Sequence, residues 1–311
     1  MFASVVTKQD ALKKAQNFMP GKSFQTTKTP NHAPKRGEQG KDPAYYVFNT
    51  TNKDGFVIVS GDDRTESILG YADNGYFDEN DIPLNVKAWL EFYENSIRSL
   101  DDSQIVSIPQ RTAHASIEPL IKTKWGQGRP YNLQCPIEGE NNCVTGCVAT
   151  ALAQVMYYHK WPASNSEQIP SYYTSTVGTL EALPTTTFKW DLMKNKYKYD
   201  ATGDSVDAVA ELMRYCGQIN EMNYTNNGSS AFIHCDRLVT LFDYSNNMQN
   251  LNRSSFTNKQ WEDIIYNDLA NNLPVLYEGR NNNGGHQFIC DGFDGNGLFH
   301  INWGWGHESA P

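Results

Sequence analysis

Apolar residues recur at helical spacing close to the start of the chain. Ala11, Leu12, Ala15, Phe18 and Met19 follow Thr7-Lys8-Gln9-Asp10, which resembles a capping box, and Pro20-Gly21 stops the run. Gly21 to Asp42 is polar and rich in Lys, Pro and Gly, so it predicts a long loop. Tyr45 to Phe48 and Gly55 to Ser60 then read as strands, with a hairpin turn over Asn49 to Asp54. A third strand is predicted at Ile68 to Tyr71. A helix follows from about Asn85, with Val86, Trp89, Leu90, Tyr93 and Ile97 on one stripe. Asp101 to Ala115 has no periodicity and predicts an exposed linker of the kind proteases cut.

Beyond the linker the pattern changes. Trp125 to Asn132 is a loop by composition. Val148 to His159 is apolar almost all round, which predicts a buried central helix ended by Trp161-Pro162. Trp261 to Ala270 is an amphipathic helix and Pro274 to Tyr277 a strand. Gly284 to Gly292 and Leu298 to Trp303 alternate as two strands, joined by a turn at Asp294 to Gly297. That turn superficially resembles a calcium loop, but it lacks a terminal bidentate Glu, and a hairpin is the better reading. The elements imply an α+β fold in two modules, 1–113 and 114–311.

Composition narrows the function. The 311 residues are 39% hydrophobic and 20% charged, which is globular, and no apolar run is long enough to span a bilayer. Net charge is -9, which argues against nucleic acid as a partner. The first residues carry no signal segment. Either the protein is cytosolic or a leader has been removed. All six cysteines (135, 143, 147, 216, 235 and 290) fall in the second module. They form no CxxC pair and no spaced Cys/His set, so neither a metal nor a cofactor is expected.

One cysteine stands out by position. Cys147 falls in the first turn of the central helix, where the macrodipole favours thiolate over thiol. Gly146 before it leaves room for another chain to approach the sulfur. A nucleophilic thiol also needs a base, and His286, preceded by Gly284-Gly285, is the candidate. The plainer alternatives are a buried apolar cysteine and a structural histidine. Asn302-Trp303-Gly304-Trp305-Gly306 adds weight. An Asn side chain can orient a general-base histidine, and an adjacent Trp can exclude water. A glycine-rich hairpin with aromatic plugs is the competing reading, and it gives Asn302 no role.

Cys147-Val148-Ala149-Thr150-Ala151, through Gln154 to His159, resembles the active-site helix of the streptopain and interpain family of bacterial papain-like cysteine proteases. Gly285-His286-Gln287-Phe288 and His300-Ile301-Asn302-Trp303-Gly304-Trp305-Gly306 match that family's later segments in order. Gln127 to Asn132 resembles its oxyanion-hole loop. Gly55 to Asp62, with Ile68 to Tyr71, resembles its propeptide. The resemblance implies a papain-like two-lobed fold, a helical lobe beside an antiparallel sheet lobe. It implies a secreted cysteine endopeptidase, made as a zymogen, that acts on protein or peptide substrates. Residues 1–113 would be its own intramolecular inhibitor. Cys147 would be the nucleophile and His286 its base. Gln127 would donate to the oxyanion, Asn302 would orient His286, and Trp303 would shield that contact. Gly285 would line the substrate cleft, joined by a serine, Ser230 or its neighbour Ser229. Asn85 is either the propeptide residue that disturbs the histidine or simply a helix cap. Cleavage between about Arg111 and Ile117 would free the active form.

The chain departs from the family in three places. Cys-Gly-Ser-Cys-Trp is absent. Cys143 stands where streptopain has no cysteine, and the sequence leaves open whether it pairs with Cys135 or stays reduced. After Gly306 the family continues with a strand beside the Asn302 strand, so the catalytic module is expected to be truncated at its C-terminus. The alternative function is therefore a catalytically silent homologue that acts as a propeptide-bound inhibitor or binding module. A transglutaminase-like acyltransferase is a third possibility.

Overall fold

The computed structural model describes residues 5–26, 43–78, 84–100, 114–281 and 284–306. Two compact units divide the chain near residue 112.

The first unit opens with α1 (Lys8–Phe18), capped as its sequence predicts: the Asp10 N–H donates to Thr7 Oγ1 at 3.2 Å. β1 (Phe24–Thr26), β2 (Tyr45–Thr50), β3 (Phe56–Ser60) and β4 (Ile68–Ala72) form one antiparallel sheet in sequence order. β1 lies inside the stretch predicted as loop; three residues are too few to show a period. Every residue of β2 and β3 is buried. Ala11 and Ala15 of α1 pack against Tyr46, Phe48, Val57 and Val59. α2 (Leu84–Arg98) brings Trp89 over the sheet at Gly70, where a Cβ would sit 3.2 Å from the indole. Asn85 is the second residue of α2, so its reading as the helix cap is corrected; its side chain lies outside the described residues. The predicted linker lies outside them as far as residue 113.

The second unit contains β5 (Ile137–Glu138), β6 (Asn141–Asn142), α3 (Cys147–His159), β7 (Tyr172–Thr174), β8 (Gly178–Leu180), α4 (Asp204–Ile219), α5 (Cys235–Phe242) and α6 (Asn258–Ala270). It ends with β9 (Val275–Asn281), β10 (Gly284–Phe293) and β11 (Phe299–Asn302), a three-stranded sheet ordered β11-β10-β9. α3 is the central buried helix. On one side Val148, Leu152 and Met156 join the core with Leu212, Met213, Cys216 and Ile219 of α4. On the other, Ala151 and Val155 meet Ile289 of β10 and Ile121. A helix wedged between two layers must be apolar on both sides, which explains its weak amphipathicity.

His114 and Ala115, predicted as part of the linker, are tied to this unit. His114 stacks on Tyr266 at 3.9 Å, and Tyr266 donates to the Ala115 carbonyl. Ile117 and Phe293 exchange backbone hydrogen bonds in both directions. Asp294 Oδ1 accepts from the Asn296 and Leu298 N–H groups, which makes 294–297 a hairpin turn. No group of His, Cys, Asp and Glu suited to a metal ion occurs among the described residues.

Candidate active site

Cys147 is the first residue of α3, and Gly146 caps the helix with φ +81°. The entry to the helix is closely confined. A Cβ on Gly146 would lie 2.7 Å from the Met222 sulfur and 3.0 Å from the Ser229 carbonyl oxygen. Only glycine combines that conformation with that contact.

The backbone N–H groups of Gln287, on β10, and of Val148 lie near the Cys147 sulfur and pull its pKa down. These donors favour thiolate. Burial outweighs them, and with the negative Glu278 nearby it holds the thiol above its ordinary range. Desolvation is the largest influence on the sulfur in this arrangement and opposes the pull of the helix N-terminus.

His286 is buried on β10, next to Gln287. Burial pushes its pKa below the ordinary imidazole value, partly offset by the Trp303 carbonyl. Its Nε2 lies 3.0 Å from that carbonyl oxygen, to which a neutral ring donates. Trp305, Trp303 and Phe288 surround the ring at centroid distances of 5.3, 6.1 and 6.3 Å.

Asn302, expected to orient His286, has its amide engaged elsewhere. Its Nδ2 donates to the Thr123 carbonyl (3.1 Å) and Gln154 Oε1 (3.2 Å), and its Oδ1 accepts from the Gly304 N–H (3.0 Å). The reason is the parity of the pleat. Asn302 pairs in register with Ile289, which faces α3, whereas His286 shares the other face with Phe288. Trp303, one residue on, returns to the His286 side.

Gln127 sits in the loop beside the helix entry: the Thr145 N–H donates to its carbonyl oxygen at 3.0 Å. Its half-buried side-chain amide has no hydrogen-bond partner among the described residues. Gly126 packs on the backbone of Trp305 and Gly306, where a Cβ would come within 3.2 Å. Gly285 is exposed near the start of β10, and Arg280 and Glu278 of β9 cross above it. Of the two serines, Ser229 is buried, and its hydroxyl donates to the Val144 carbonyl at 2.6 Å. Ser230 is exposed and is fixed through backbone bonds to Asn223.

The structure thus gathers Cys147, His286, Trp303 and the backbone of Gln127 around one end of α3. Sequence reasoning missed Thr123, Gln154, Phe288 and Trp305. The available signal was Thr150 and Gln154, two polar residues in an otherwise apolar stretch. Cys135 and Cys143 are both free and buried, so the pairing left open by the sequence is not formed. His300 is paired with the buried Asp291 (2.6 Å) and His114 with Asp263 (3.3 Å), away from the thiol.

Comparison with known proteins gives the family and the fold. The Peptidase C10 family model matches residues 125–310, and the Spi protease inhibitor model matches residues 3–97. The chain is 33% identical to the thiol protease/hemagglutinin PrtT of Porphyromonas gingivalis, over 99% of this chain and 38% of that protein. It therefore spans well under half of that relative's length. It is also 33% identical to streptopain of Streptococcus pyogenes, over 85% of this chain and 72% of streptopain. A Prevotella intermedia prointerpain A fragment superposes with a TM-score of 0.74 at 29% identity, covering 92% of this chain and 89% of that one. Active interpain A from the same organism gives 0.54 at 34% identity, covering 61% and 82%. The expected papain-like α+β architecture is shared with these structures, and the chain belongs to the Peptidase C10 family of cysteine proteases.

Proposed function

We propose that the chain is a cysteine endopeptidase made as a zymogen, with Cys147 as nucleophile and His286 as base and later acid. The observation that carries the reading is that β10, the strand bearing His286, sets the Gln287 N–H beside the Cys147 sulfur, where it favours the thiolate, one residue away from the histidine.

The ring that now donates to Trp303 must turn toward the sulfur and take its proton. The thiolate then attacks the peptide carbonyl carbon, and the carbonyl oxygen gains the negative charge. The Gln127 amide and the Cys147 N–H, free at the helix N-terminus, donate to that oxygen. The tetrahedral intermediate expels the amine, which takes the proton from His286 and leaves a thioester. Water, deprotonated by His286, attacks the thioester and releases acid and thiol. Trp303 and Trp305 keep the imidazole out of bulk water. Gly285 offers backbone to the substrate, and Ser230 stands on the exposed loop after Asn226.

Residues 1–113 serve as the intramolecular inhibitor, a reading supported by the Spi inhibitor match. Secretion follows from the resemblance and is tested by fractionating a culture. A silent homologue is the second reading, favoured by one observation: the ring bonds the Trp303 carbonyl and not the thiol.

An epoxide probe of the E-64 type separates the two. After removal of the first module, stoichiometric labelling of Cys147 is expected, together with hydrolysis of a peptide substrate. Folded protein that neither labels nor turns over would establish the silent reading.

A further inference from the structure

Along α3, Cys147, Thr150 and Gln154 lie three and then four residues apart, so they share one face of the helix. Thr150 Oγ1 bonds the carbonyl of Gly146 at 2.9 Å and the hydroxyl of Thr145 at 2.7 Å, which steadies the turn that carries Cys147. Gln154 is fully buried. Its Oε1 accepts from Thr123 Oγ1 at 2.7 Å and from Asn302 Nδ2 at 3.2 Å. Its Nε2 donates to Asn302 Oδ1 at 3.5 Å.

The sense of the Asn302 amide is fixed from outside the pair. The Gly304 N–H requires an oxygen at one end and the Thr123 carbonyl requires an N–H at the other. Gly304 itself lies against the helix: a Cβ there would meet the Thr150 methyl at 3.2 Å. Between Asn302 and Gly304 stands Trp303, whose carbonyl holds His286. The nucleophile and the histidine are therefore connected by a short buried path: α3, Gln154, Asn302, the Trp303 carbonyl, the ring. An unpartnered amide at this depth would be costly, so each member constrains the next.

We propose that Gln154 is a positioning residue that clamps Asn302 and thereby sets the separation between the Cys147 helix and the turn carrying the His286 anchor. It touches neither the sulfur nor the substrate. The proposal rests on the protease reading above and gives Asn302 a different task from orienting the ring directly. The glutamine holds the turn, and the turn holds the histidine.

The test uses the purified full chain, assayed after processing, with wild type beside each variant. Gln154→Met keeps the length of the side chain and removes both hydrogen-bonding groups. Because a misplaced catalytic pair loses rate steeply with distance, kcat should fall about 10- to 100-fold with KM within about twofold. The rate of Cys147 alkylation at mildly acidic pH should fall in the same proportion, because the thiolate–imidazolium pair forms less readily. Gln154→Glu keeps the acceptor oxygen and should retain more activity than Gln154→Met. It also serves should the methionine variant fail to fold. A glutamine that merely fills space predicts a lower unfolding midpoint in both variants, with kcat and alkylation profile per folded molecule unchanged. That result would overturn the proposal. A wild type that neither labels nor turns over would instead overturn the protease reading, so the two failures are distinguishable.

Discussion

Cys147 and His286 are each pushed toward neutrality by burial, the thiol upward and the imidazole downward. The consequence for stability has a definite sign. Below an ordinary imidazole value of 6.5 the unfolded chain takes up the His286 proton first, so stability falls with pH until the folded value is passed. Above an ordinary thiol value of 9.0 the unfolded chain loses the Cys147 proton first, so stability falls as pH rises. Urea midpoints measured against pH should show both losses. His286→Gln should flatten the acid limb and Cys147→Ala the alkaline limb. Limbs unchanged in these variants would mean that other groups dominate both. Cys147 itself was legible from sequence through its place at a helix start. Its protonation was not, because desolvation depends on what packs above the sulfur, and that comes from β10, far along the chain.

Among the elements, α3 shows how a local pattern becomes a site. Its apolar run fixes it as buried, and Gly146 sets its first turn. Gly146→Ala would force a side chain into a conformation that costs about 1–3 kcal/mol and into contact with Met222 and the Ser229 carbonyl. We expect a lower unfolding midpoint and a loss of roughly 100-fold in kcat/KM as Cys147 shifts. Normal turnover with a native midpoint would show that the helix entry tolerates a Cβ. β10 and β11 were legible as strands by alternation, and their connecting turn by its Asp and Gly residues. Which residue of Asn302-Trp303 meets the histidine was not legible, since it depends on register. The pairing of Ile289 with Asn302 puts the amide toward α3 and leaves the next carbonyl for the ring. In α4, Val206, Val209, Leu212, Met213 and Cys216 keep helical spacing and are all buried, so this helix too is written in the local pattern.

For the whole molecule the testable event is processing. Cys147→Ala should stop release of the peptidase portion if the chain cuts itself. Processing that continues unchanged would point to another protease. The sequence predicts a cut between about Arg111 and Ile117, and contacts within the second unit narrow the range. His114, Ala115 and Ile117 are bound to Asp263, Tyr266 and Phe293 of the second unit, so the new N-terminus should fall before His114. N-terminal sequencing of the product checks this.

The sequence by itself determined the family and pointed to Cys147 and His286 as the candidate nucleophile and base, since these reside in contiguous motifs whose local spacing already defines helix or strand. Only the tertiary structure decided the burial that raises the thiol's pKa, the partner of the imidazole and the engagement of Gln154. Each depends on burial or on strand register, between segments as far apart as Gln154 and Asn302, and no local pattern records that.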